Sequence, residues 1–193
     1  MGYVLHEVRS IPSSSCTALS PSGRITASVV TGQIKVLQGD TEQTITCRIG
    51  VTDICMTDSR IFLLYRDGKI LIFDVETASQ TSKIDIDTSP VSIQLDYHGD
   101  TMLVRWHDQS KILNDRGEQL LTINCAIDVS LIFLRSDYII LAYFAERSVT
   151  LQIKDQDNFD EHVVPGQFTH VCYDRVGLNL FLLDRVGVIN WID

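Results

Sequence analysis

Five short segments of this 193-residue chain share one makeup and fall at nearly even spacing. They are Gly32-Gln33-Ile34-Lys35, Gly68-Lys69-Ile70-Leu71, Ser110-Lys111-Ile112-Leu113, Ser148-Val149-Thr150-Leu151 and Gly187-Val188-Ile189-Asn190, with steps of 36, 42, 38 and 39 residues. Each begins with Gly or Ser, a turn residue, and runs on into β-branched and apolar residues. A period near 40 residues allows one small supersecondary unit per repeat. Such a unit cannot bury its apolar surface alone, so neighbouring units have to stack.

The runs between the turns are four to seven residues long, and none sustains a helical period. Some are apolar on both faces: Ile61–Tyr65 (IFLLY), Ile70–Phe73 (ILIF), Ile139–Phe144 (IILAYF) and Leu180–Leu183 (LFLL). A strand of that kind has to be covered on both sides. Others alternate, as in Thr44–Ile49 (TITCRI), where Ile45, Cys47 and Ile49 share a face, and Lys83–Asp87 (KIDID), where Ile84 and Ile86 do. Those strands are half exposed. The order within each repeat is strand, tight turn, strand, Gly turn, strand, alternating strand. Four strands per 40 residues, the inner ones sandwiched and the outermost facing solvent, is the pattern of a β-propeller blade. The expected fold is all-β, a propeller of about five four-stranded blades in a single domain, 1–193.

Particular residues also resemble the WD-repeat family. Ala18-Leu19-Ser20-Pro21-Ser22-Gly23-Arg24 followed by Ile25–Val30 looks like the first two strands of a WD repeat. Arg66-Asp67-Gly68-Lys69-Ile70-Leu71-Ile72-Phe73-Asp74 is similar to the turn and third strand that end in Trp-Asp, with Phe73 in the Trp place. Leu95–Leu103 resembles the turn between first and second strands. No Gly-His pair precedes a first strand, so the resemblance is to a divergent, WD-like member. It implies closure by the N-terminal strand: Tyr3–Val8 stands alone before four quartets, and the fifth unit (Phe168–Tyr173, Leu178–Leu183, Val188–Ile192) lacks its outer strand. A piece of a larger ring, cut between third and fourth strands, has the same phase.

Lys and Arg number 16 against 25 Asp and Glu, a net charge of −9. That balance argues against a surface that tracks nucleic-acid phosphates and favours basic protein partners. The five cysteines (Cys16, Cys47, Cys55, Cys125, Cys172) form no C-x-x-C, and Met1–Ser10 has no basic and apolar leader pattern. Arg135 and Asp137 interrupt the longest apolar region, Ile127–Phe144, which excludes a membrane-inserted helix there. The expected setting is intracellular, in the cytoplasm or the nucleus, with reduced thiols.

Chemistry-bearing motifs are absent: no G-x-S-x-G, no Gly-rich phosphate loop, no H-E-x-x-H. His107 beside Asp108 is not a dyad, because adjacent strand residues point to opposite faces. His98 and His107 read as turn residues. His170 and Cys172 share a strand face at i, i+2 without a second metal-ligating pair. The acidic run Asp155–Glu161 lacks the Gly and Glu of a calcium loop and reads as a solvated connecting loop. Asp53, Asp85, Asp128 and Asp174 occupy different strand positions, unlike a glycosidase's gathered carboxylates. No enzyme activity, cofactor or metal is expected.

What is left is surface. Turns between second and third strands and loops entering each first strand fall on one rim, and they carry Arg66, Asp67, Trp106, His107, Asp108, Phe144, Arg147 and Arg185. Arg and aromatic residues are the makeup of interaction hot spots. The competing reading packs Trp106 and Phe144 between blades. The expected function is a scaffold that docks a peptide, helix or domain on this rim within a multiprotein complex. The alternatives are a small-ligand or carbohydrate-binding propeller and a fragment completed by a partner chain. Far-UV circular dichroism should show less than about a fifth helix; more would contradict the all-β reading.

Overall fold

The computed structural model describes residues 16–95, 100–124, 130–135, 138–155, 158–174 and 179–192. Among them there is no helix, only antiparallel strands in five sheets. Sheet 1 comprises β1 (Cys16–Leu19), β2 (Ile25–Val30), β3 (Gln33–Gln38) and β4 (Thr41–Thr46). Sheet 2 comprises β5 (Val51–Met56), β6 (Arg60–Tyr65), β7 (Lys69–Asp74) and β8 (Gln80–Asp85). Sheet 3 comprises β9 (Ser92–Leu95), β10 (Thr101–Arg105), β11 (Ser110–Asn114) and β12 (Gln119–Ile123). Sheet 4 comprises β13 (Ser130–Arg135), β14 (Tyr138–Phe144), β15 (Ser148–Asp155) and β16 (Asn158–Pro165). Sheet 5 has three described strands, β17 (Phe168–Asp174), β18 (Asn179–Asp184) and β19 (Ile189–Ile192). Every sheet is an up-and-down meander in chain order, and the repeat read from the sequence coincides with the sheet boundaries. The array is consistent with a β-propeller-like fold. The N-terminal strand expected at Tyr3–Val8 lies outside the described residues.

The pairing follows from side-chain character. In β6, Ile61, Leu63 and Tyr65 pack toward sheet 1 while Phe62 and Leu64 pack toward sheet 3, and all five are buried. Strands β4 and β8 carry one buried residue each, Ile45 and Ile84, among exposed polar ones. Four apolar clusters join the sheets in series. The first links sheets 1 and 2, the second sheets 2 and 3, the third Leu103 and Ile112 of sheet 3 to Ile139 and Leu141 of sheet 4. The fourth links Ile140, Ala142, Val149 and Leu151 to Phe168, Leu180 and Leu182 of sheet 5.

The acidic run departs from the sequence reading. Asp155 ends β15 and pairs with Asn158, the first residue of β16, so Asp155 and Asn158–Glu161 belong to strands rather than to a loop. The outer position of β16 explains the difference: Asp160 and Glu161 are both exposed on an edge strand, where carboxylates remain hydrated. Glu161 accepts a hydrogen bond from the Gln152 amide at 3.1 Å.

One polar link crosses between inner strands. The Asp53 carboxylate, at a bulge in β5, accepts from its neighbour Ile54 N–H at 2.9 Å and from Ile93 N–H of β9 at 2.9 Å. Burial pushes its pKa up, and the two N–H donors oppose that shift. Asp53→Ala leaves the Ile93 N–H without its acceptor and should cost about 1–3 kcal/mol. Urea unfolding measures this against Asp85→Ala, an exposed surface change expected within about 0.5 kcal/mol.

Candidate functional site

The rim is built by a recurrent backbone device. The turn that follows the second strand of a sheet is tied to the loop that leads out of, or into, the same sheet. Gly32 carbonyl accepts from Cys47 N–H at 2.9 Å, and Gly68 carbonyl from Ile86 N–H at 2.7 Å. Arg66 and Arg105 carbonyls accept from Ser89 and Val91 N–H, each at 2.7 Å. In sheets 4 and 5, Gly166 N–H donates to Arg147 carbonyl at 2.9 Å and Arg185 N–H donates to Gln167 carbonyl at 3.0 Å. These ties satisfy loop backbone groups and hold the turns at one end of the array.

Side chains strengthen the device at sheet 2. Arg48 forks onto Asp67 through two hydrogen bonds of 2.8 and 2.7 Å and lies 4.3 Å above the Tyr65 ring. The Tyr65 hydroxyl donates to Arg48 carbonyl at 3.1 Å, and Lys69 adds a second cation to Asp67 at 2.9 Å. Arg48 first, then Lys69, holds the Asp67 carboxyl well below the usual carboxylate range. Planar bidentate geometry gives this bridge its direction, although its exposure keeps its energy modest. Asp67 is thus a bracing residue, occupied within the chain.

Trp106 is likewise internal. It is 7% exposed, packs in the cluster between sheets 2 and 3, and its indole N–H donates to Thr88 carbonyl at 3.0 Å. Of the two sequence readings of Trp106, a rim anchor and a residue packed between sheets, the first is corrected and the second is what its burial shows: the strand end lies under the loop that leads into β9. Lys111 covers the ring at 5.3 Å and pairs with Asp87. Together with Asp85 they border a cleft of about 370 Å³. Phe144 is half-buried against the cluster between sheets 4 and 5.

The remaining expected residues are surface groups. Arg66, His107, Asp108, Arg147 and Arg185 are all exposed in turns at this rim, and the three guanidinium groups make no ion pair among the described residues. The opposite rim exposes Asp40, Asp58, Glu76, Asp115 and Glu118 together with Arg24 and Arg116, while Asp108 and Glu146 are exposed beside the arginines. His170 shares a 3.0 Å hydrogen bond with Thr169, while His98 and the Cys172 side chain lie outside what is described. Among the described residues no group of His, Cys, Asp and Glu is arranged to hold a metal ion.

Sequence reasoning missed Arg48, Lys111 and Asp53. Asp53 alone leaves a trace, an acid in the otherwise apolar and hydroxyl-bearing run Val51–Met56. Arg48 and Lys111 act through partners that are distant in sequence.

A solved structure described as Kuenenia stuttgartiensis hydrazine synthase superposes on the chain with a TM-score of 0.62 at 11% identity, over 99% of this chain and 69% of that one. At this identity the likeness is one of fold alone. No protein-family model matches the chain, and no curated protein matches it in sequence.

Gly68 gives the rim a sharp test. Its φ of +78° is in the left-handed region, and a Cβ there would meet the Ile86 and Asp87 carbonyl oxygens of the tied loop. Gly68→Ala should destabilise the protein by roughly 2 kcal/mol or more. Gly39→Ala also stands at positive φ but in open space, and should cost about half as much. Thermal or urea unfolding distinguishes the two, and equal losses would contradict the close approach at Gly68.

Proposed function

We propose that the protein is a noncatalytic protein–protein interaction platform of WD-like propeller type, acting within an intracellular multiprotein assembly. In this reading the five sheets are blades. The observation that supports it most is the braced rim. Backbone ties hold the turns rigid, and Arg66, Arg147 and Arg185 project from them with no carboxylate partner among the described residues. Rigid presentation lowers the ordering cost of binding, which is what a docking surface needs. Corresponding turns carry Arg66, Asp108, Glu146 and Arg185, a sequence with no repeated pocket, so one partner surface is favoured over several equivalent ligand sites.

Charge refines the partner. The exposed arginines of this rim suit a segment bearing carboxylates or carbonyl-rich turns. Affinity capture from native lysate with the wild-type chain, an Arg66→Glu/Arg185→Glu variant and an opposite-rim Glu76→Lys/Glu118→Lys variant tests the assignment. The arginine-rim variant should retain its unfolding midpoint and lose partner binding by about tenfold or more. Binding that survives this reversal, or that falls equally with both variants, would overturn the rim as the docking surface.

A further inference from the structure

The rim turn of sheet 2 carries the chain's one Asp-Gly dipeptide, Asp67-Gly68, and the chain has no Asn-Gly. Gly68 N–H donates to Tyr65 carbonyl at 3.0 Å, which closes the turn over Arg66 and Asp67, and Gly68 adopts the left-handed φ of +78°. Such a turn calls for glycine, and Asp is among the residues that turns favour. The same pair is chemically labile. Glycine has no side chain to shield its amide nitrogen, so that nitrogen can attack the carboxyl carbon of the aspartate before it. The N–Cγ bond forms, the amide proton and the carboxyl hydroxyl leave as water, and a five-membered succinimide results. Water then opens the ring at one of its two carbonyls. Opening at Cγ restores aspartate, whereas opening at the backbone carbonyl leaves isoaspartate, with the chain running through Cβ and Cγ. No atom is gained or lost overall.

The Asp67 side chain is 40% exposed, so water reaches it. Contacts on both sides of the bond nevertheless oppose the reaction. Arg48 takes both carboxylate oxygens, Oδ1 at 2.7 Å and Oδ2 at 2.8 Å, and Lys69 takes Oδ2 at 2.9 Å. Turning the carboxyl toward the Gly68 nitrogen breaks these charge-assisted bonds together. Arg48 first, then Lys69, also keeps the group ionised, and a carboxylate has no hydroxyl to lose. Arg48 is itself fixed, its guanidinium 4.3 Å from the Tyr65 ring and its carbonyl bonded to the Tyr65 hydroxyl. Across the bond, the Gly68 N–H is engaged with Tyr65, and the Gly68 carbonyl accepts from Ile86 N–H at 2.7 Å. A Cβ at position 68 would meet the Ile86 and Asp87 carbonyl oxygens, so the tied loop leaves this peptide little room to rotate.

We propose that Asp67-Gly68 is a latent isomerisation site guarded by the Arg48 fork: where the fork opens, Asp67 converts to isoaspartate and the sheet 2 rim comes undone. The product moves the free carboxylate onto Cα, away from Arg48, and lengthens the backbone by one carbon in a turn that has no slack. The tie from Gly68 to Ile86 is lost with it. This chemistry is independent of what the rim binds.

The full chain, held folded at neutral pH over weeks, tests the guard when isoaspartate at residue 67 is quantified by peptide mass spectrometry. The same chain unfolded in urea supplies the unguarded rate. The folded chain should isomerise roughly tenfold or more slower than that reference, because reaction has to await local opening. Arg48→Ala, with circular dichroism confirming its fold, should raise the folded rate by about threefold or more, the scale of an exposed bridge. Glu42→Ala, which removes the exposed pairing with Lys35 in sheet 1, should leave the rate unchanged. Should Arg48→Ala fail to fold, Arg48→Lys replaces it, since an ammonium keeps the charge and loses the fork. A folded wild-type chain that isomerises as fast as the unfolded one overturns the proposal. A folded Arg48 variant that isomerises no faster than the wild type overturns it as well, the protection then lying in the backbone ties, and so does an equal rise with Glu42→Ala.

Discussion

Face-to-face apolar contact between consecutive sheets is the constraint on which the other features of this protein rest. In Ile61–Tyr65 every side chain is buried, alternate ones into the sheet before and the sheet behind. Such a strand has no solvent-facing side, so sheet 2 is stable only between two neighbours. The same requirement passes from sheet to sheet through four clusters. Outer strands escape it by presenting one face to water, which is why β4 and β8 tolerate polar residues at nearly every second position or more.

Polar interactions act on this frame by setting position rather than by holding the mass together. The Asp53 carboxylate spans two inner strands through the Ile93 N–H, a directional link where apolar contact alone permits sliding. The Arg48–Asp67 bridge does the same between a loop and a turn, and Tyr65 ties that arginine from below by ring and hydroxyl. Each is worth little if exposed and more if desolvated, yet all three limit motion of the rim. The rim is tied by its own backbone and carries three exposed arginines.

How far the sequence reading reached depended on the range of the interactions involved. Period and alternation are local, and the five units, their strand order and the two strand types were legible from them. Residues whose role is set by what covers them were not. Trp106 follows a strand and precedes His107-Asp108, the setting of an exposed turn aromatic, and only the loop at Thr88 places it inside. Asp155–Glu161 reads as a loop by its charge, although Asp155 lies in β15 and Asn158–Glu161 in β16, with Asp160 and Glu161 exposed.

The sequence by itself therefore determined the secondary structure, the meander of each sheet and which faces require burial, because these follow from side-chain period and turn chemistry along a few neighbouring residues. Only the tertiary structure decided which side chains at the rim are free. Asp67 is consumed by Arg48 and Trp106 by the loop above it, while Arg66, Arg147 and Arg185 remain at the surface. It also decided where the stacking stops. Phe62 and Phe181 sit in equivalent local patterns, and one is buried while the other is half open, since burial is a property of the neighbouring sheet and not of the strand.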